Sequence, residues 1–148
     1  MSHRNQIFSV LAILLLAFVA TPAFAGGPQI VGSWQASSSV DGSTDSAPLL
    51  ATFGKDGTLV STGPSTANSV AHGAWEKTGP RQYSATIVFF VFDASGNASL
   101  KVTTNDEYEV SQNGQTYTSV FEATLSTLDG TVIGVVTGTS SGTRIDVQ

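Results

Sequence analysis

The chain has 148 residues, no cysteine, and a formal net charge of −5. Its few cations are scattered, which excludes a nucleic-acid binder, since that needs clustered Lys and Arg to displace counterions from phosphates. The same shortage argues against an anionic membrane surface as partner.

The first element reads as a secretory leader. His3 and Arg4 give a positive start, residues 7–20 form an almost unbroken apolar run, and Thr21-Pro22 interrupts it. Ala23-Phe24-Ala25 then supplies the small-x-small pattern of a signal-peptidase site. The run of roughly 14 residues is too short for a bilayer core of about 30 Å. The expectation is a signal peptide over 1–25 and one domain over 26–148, exported to the periplasm or the medium and soluble there. No cysteine follows the leader to carry a lipid anchor. Removing Arg4 leaves Lys55, Lys77, Arg81, Lys101 and Arg144 against eleven acids, a net charge of −6.

Beyond residue 25 no 3.6-residue apolar period appears. The chain is rich in Thr, Val, Ser, Phe and Tyr, and is cut by Lys55-Asp56-Gly57, Thr78-Gly79-Pro80, the 93–97 stretch, Asn113-Gly114 and Asp129-Gly130. Asp-Gly and Asn-Gly suit the positive φ of tight hairpins. Eight strands are predicted in chain order, over 30–38, 48–53, 58–62, 71–77, 81–92, 98–110, 115–128 and 131–139. In the sixth, Leu100, Val102, Thr104, Asp106, Tyr108 and Val110 share one face, with Lys101, Thr103, Asn105, Glu107 and Glu109 opposite. In the seventh, Tyr117, Phe121, Ala123 and Leu125 share a face. This period-two pattern marks a half-buried sheet. Strands five to seven are long, and an open sheet of such strands leaves two long edges that closure removes. The fold expectation is all-β, an eight-stranded antiparallel up-and-down barrel, preferred over a two-sheet sandwich. Eight strands leave room for a filled core or one small ligand. The loops 39–47 and 63–69 are expected on one rim.

Gly32-Ser33-Trp34 opens the first strand, and Thr143-Arg144 is expected to follow the last. This resembles the lipocalin and broader calycin pattern, in which a Gly-x-Trp meets an Arg after the final strand. The resemblance implies a Trp34 plug at the closed end of a barrel. The Arg144 guanidinium would lie over its face, and Gly32 would permit close backbone approach. The chain departs from lipocalins in having no disulfide and no helix after the barrel. The stretch from His72 through Trp75, followed by Gly79-Pro80-Arg81-Gln82-Tyr83, is similar to small exported bacterial proteins and implies a lineage rather than an activity.

Several motifs fail on chemistry. Gly138-Thr139-Ser140-Ser141-Gly142 matches G-x-S-x-G, but a nucleophile elbow needs a following helix and a later His. His72 precedes it, so it reads as a Gly/Ser loop. One His beyond the leader and no Cys leave zinc without ligands, and Asp41 with Asp45 lacks EF-hand spacing. Asn97-Ala98-Ser99 matches a glycosylation sequon but reads as a turn. No cofactor and no catalytic residue is assigned.

Candidate ligand-binding residues are His72, Tyr83, Asp106, Tyr108 and Tyr117. Asp106 lies on an otherwise apolar face. Facing inward it needs a partner or a proton, and Tyr83 or Tyr117 on neighbouring strands is expected to supply it; alternatively, a bulge turns it outward. The run Ile87-Val88-Phe89-Phe90-Val91-Phe92 is apolar on both faces, so its outer face needs cover, either from residues 26–29 or from a second copy packed through Val88, Phe90 and Phe92. The leading functional expectation is a non-catalytic exported barrel holding a small apolar molecule. The alternatives are a barrel enzyme resembling the allene oxide cyclases, or a solid structural or interaction protein. Fold alone does not choose among them.

Overall fold

The computed structural model describes residues 29–148; the predicted leader and residues 26–28 lie outside the described residues. The architecture is a closed antiparallel barrel in strict sequence order. Its strands are β1 (Gly32–Val40), β2 (Ala47–Phe53), β3 (Thr58–Thr62), β4 (Ala71–Lys77), β5 (Gln82–Phe92), β6 (Ala98–Val110), β7 (Thr116–Ser126) and β8 (Val132–Arg144). β8 returns to pair with β1 from Trp34↔Arg144 to Val40↔Gly138.

Local chemistry makes the turns. Between β2 and β3, Gly57 sits at φ 84°. Asp56 Oδ1 accepts from the Thr58 N–H at 3.1 Å and the Thr58 hydroxyl at 2.6 Å. Those donors hold the Asp56 carboxyl below its ordinary range. The sequon asparagine lies in a similar turn, where Asp93 Oδ1 accepts from the N–H groups of Ser95 and Asn97. Every second connection of a meander returns to the same end. The 41–46 and 63–70 loops therefore share one rim, here the upper, with 93–97 and 127–131.

The last strand corrects the sequence reading. β8 runs to Arg144 instead of ending at 139, so Gly138-Thr139-Ser140-Ser141-Gly142 is strand and not loop, and Arg144 is part of β8 rather than beyond it. Gly and Ser are poor strand formers in isolation, but here the glycines face inward opposite large rings. Phe121 pairs with Gly138 and Tyr117 with Gly142. A Cβ at Gly138 would overlap the Phe121 ring and the Ser39 carbonyl, and one at Gly142 would overlap the Tyr117 ring. The letters of the hydrolase motif are packing residues.

β3 and β4 have 5 and 7 residues whereas β5 and β6 have 11 and 13. The upper part of β5 therefore outruns its neighbour, and the loop before β4 takes the vacant edge. The Ser69 N–H donates to the Phe90 carbonyl at 2.9 Å, and the Phe90 N–H donates to Ser69 Oγ at 3.0 Å. The Phe92 N–H reaches the Ala67 carbonyl at 2.7 Å. On the strip expected to need cover, Val88 and Phe92 are half-buried and Phe90 remains exposed. Gln29 lies at the opposite end, its carbonyl bound by Arg144.

The interior is layered. The lower layer is aromatic, with Trp34, Phe53, Trp75, Tyr83, Tyr108 and Tyr117 meeting edge-to-face at centroid separations of 5.1 to 6.4 Å. Such contacts add to area burial. The outer wall is mixed: Ser37, Thr118, Thr139, Ser141 and Glu107 face outward, as do the exposed Leu50, Val60, Phe90, Val120, Ile133 and Val135.

Candidate functional site

The closed end is held by one cation. The Arg144 guanidinium carbon lies 4.3 Å from the Trp34 ring centroid. Its three nitrogens donate to the carbonyls of Gly114 (Nε, 2.8 Å), Val31 (2.8 Å) and Gln29 (2.7 Å). The Trp34 indole N–H donates to the Ile30 carbonyl at 2.8 Å. Gly32 sits at φ 128°, where an L side chain is strained, and a Cβ there would meet the guanidinium. Gly32, Trp34 and Arg144 thus form one latch in which each guanidinium nitrogen and the indole N–H donates to a backbone carbonyl.

Above the latch and its aromatic layer stands Asp106. It faces inward and is 7% exposed; no bulge turns it out, because β6 pairs without interruption with β5 and β7 around it. Its partner is neither Tyr83 nor Tyr117. The Tyr108 hydroxyl, two residues along the same face, donates to Oδ2 at 2.9 Å. Asp106 Oδ1 is buried with no hydrogen-bond partner. Leaving such an acceptor unpaired costs about 1–3 kcal/mol. Burial raises the Asp106 carboxyl above its ordinary value; the Thr104 and Tyr108 hydroxyls pull the other way and the Glu107 charge adds to the rise. Burial, with the Asp106 carboxylate behind it, pushes the Tyr108 phenol well up. Tyr117 is pushed up to about 12, by burial first, opposed by the Ser140 hydroxyl. Ser140 and Ser119 share a hydroxyl–hydroxyl contact of 2.6 Å across β7 and β8.

The upper rim holds a cleft of about 480 Å³ beneath the 63–70 loop. Inward positions Ser38, Leu49, Ser61, Ala71 and Phe89 line it, with Pro64 and Asn68 from the loop. Its walls are mostly carbon, with hydroxyls at the edges. Sequence reasoning marks Phe89 only as part of an apolar run and 63–69 only as a rim loop, and assigns no ligand contact to any of these residues. Alternation in β2 to β5 carried the signal, but which end of each inward row stays open depends on how the strands stagger round the barrel.

Of the five predicted ligand residues, the barrel interior gathers Tyr83, Asp106, Tyr108 and Tyr117. His72 is not among them. It pairs with Val60 and Val88 on the outer wall and is exposed. Asp41, weighed as a calcium ligand, accepts from the Thr137 hydroxyl at 2.6 Å. Among the described residues no three His, Asp or Glu side chains group to hold a metal ion. No protein-family model, curated protein or solved structure matches this chain.

Proposed function

We propose that the protein is an exported, calycin-like barrel that holds a small apolar molecule in its upper mouth. The observation carrying this reading is asymmetry. One end is filled by rings and latched by Arg144, while the other opens into a carbon-walled cleft of 480 Å³, a size and lining that suit a small ligand. Outward Ser, Thr and Glu side chains interrupt the exposed apolar ones on the outer wall, which suits water better than an unbroken lipid-facing apolar band would. Nile red, an uncharged apolar dye, tests the reading. Fluorescence should rise on titration into the native protein and fail to rise with Ala71→Trp, which fills the cleft; equal response of both proteins would overturn it.

Self-association through the strip Val88, Phe90 and Phe92 belongs to the same proposal, since Phe90 stays 42% exposed beside the loop that pairs with its backbone. Sedimentation of the native protein as a dimer, and of Phe90→Ser as a monomer, is the expected result. A native monomer at high concentration removes this part.

A further inference from the structure

We infer that the ligand carries a hydrogen-bond donor head group, an alcohol or an amine rather than a carboxylate, and that the donor pairs with Asp106 Oδ1. This goes one step beyond the cup reading and rests on it. Three observations converge on the same place.

The first is the acceptor itself. Asp106 Oδ1 accepts no hydrogen bond although Oδ2 does, the side chain is 7% exposed, and the Thr104 hydroxyl, which favours the charged form, makes no bond of normal geometry to it. Buried acceptors are nearly always satisfied, so an unfilled one on an inner wall marks where a donor fits.

The second is room. Strands of a closed barrel tilt, so side chains at one height come from staggered register positions. Asp106 pairs with Ala85 on one side and Phe121 on the other, and around the lumen near its height the small residues Ala36, Ala51, Gly73 and Ser140 alternate with the larger Leu59 and Ile87. The cleft residues Ser38, Leu49 and Ala71 stand one inward position, about 7 Å along the strand, above Ala36, Ala51 and Gly73, and Phe89 stands one above Ile87. A slender molecule reaching down from the cleft past Ile87 would bring its head to Asp106.

The third is charge. Of the five cations among the described residues, Arg144 is committed to the latch. Lys101 lies on the outward face of β6, and Lys55, Lys77 and Arg81 lie at the closed end. Nothing cationic faces the lumen above the aromatic layer, where the ionisable group is an acid. An anionic head would lose its hydration with no counter-charge and would stand against a carboxylate.

The test displaces Nile red from the native protein with decanol, decylamine and decanoate at neutral pH, below their micelle concentrations. Decanol and decylamine should displace the dye at concentrations at least 10-fold lower than decanoate does, and Asp106→Asn should shrink that gap to 2-fold or less. Equal displacement by decanol and decanoate in the native protein overturns the inference and leaves the cup intact. An unchanged gap in a folded Asp106→Asn protein overturns it too. Failure of the dye to bind removes the cup, and this inference with it. The native comparison decides the matter even if the variant does not fold.

Discussion

The two ends of the barrel solve opposite problems with the same strands. At the lower end, large rings fill the space and a single guanidinium ties together carbonyls from residues 29, 31 and 114. At the upper end, inward side chains are smaller, loops replace strand, and apolar groups such as Leu128, Val132, Ile133 and Val135 stay exposed. Stability is concentrated where sequence-distant segments meet, and space is left where the connections vary in length. Between them sits a layer in which small residues alternate with Leu59, Ile87 and Phe121 around one acid whose Oδ1 has no hydrogen-bond partner.

This contrast can be broken from below most easily. Trp34→Ala removes the ring at the centre of the latch and should cost about 4 kcal/mol, the usual range for a large buried aromatic, read as a shift in urea midpoint. Gly138→Ala places a methyl against Phe121 and the Ser39 carbonyl. It should cost about 3 kcal/mol, at the upper end for overpacking, and a similar change at the outward Thr137 should cost far less. A milder probe is pH. Tyr117 titrates at about 12 in the folded state against about 10 when unfolded. The folded form therefore binds the proton more tightly. Stability from this group is intact below pH 10 and is lost as pH rises through 12; absorbance at 295 nm should show the delayed phenol.

The middle layer sharpens the comparison in the other direction. Asp106 has a raised folded value, so its contribution is favourable below the unfolded carboxylate value of about 3.9 and declines as pH rises. Asp106→Asn should match the native protein near pH 3 and exceed it in thermal midpoint at pH 7. Smallest of all, Ser69→Ala removes the side-chain acceptor for the Phe90 N–H. It should cost about 1 kcal/mol, with hydrogen exchange accelerating at Phe90 and not at the latch.

Much of this architecture was legible because alternation survives wherever one face is buried. The predicted bounds 58–62, 71–77 and 98–110 coincide with β3, β4 and β6. Where the inner face is made of glycine, as at Gly138 and Gly142, hydrophobicity has no period to show, and the strand was read as loop. Parity with Val102 and Val110 offers an inward aim for Asp106 but leaves a bulge that turns it outward equally open, and only the unbroken pairing of β6 decides between them. Its bond to Tyr108 follows from the same two-residue spacing, whereas the sequence reading expects a cross-strand tyrosine. The cleft was illegible, because it depends on the stagger of eight strands and on a loop filling the edge left by short β4.

The latch also has a temporal meaning. Arg144 reaches carbonyls 113 and 115 positions earlier in the chain, among the most distant contacts available to it. Every hairpin can form from local pairing as it emerges, but the cylinder cannot shut until synthesis has passed residue 144. Long-range closure of this kind slows folding. Such a chain finishes folding only after its last strand is made.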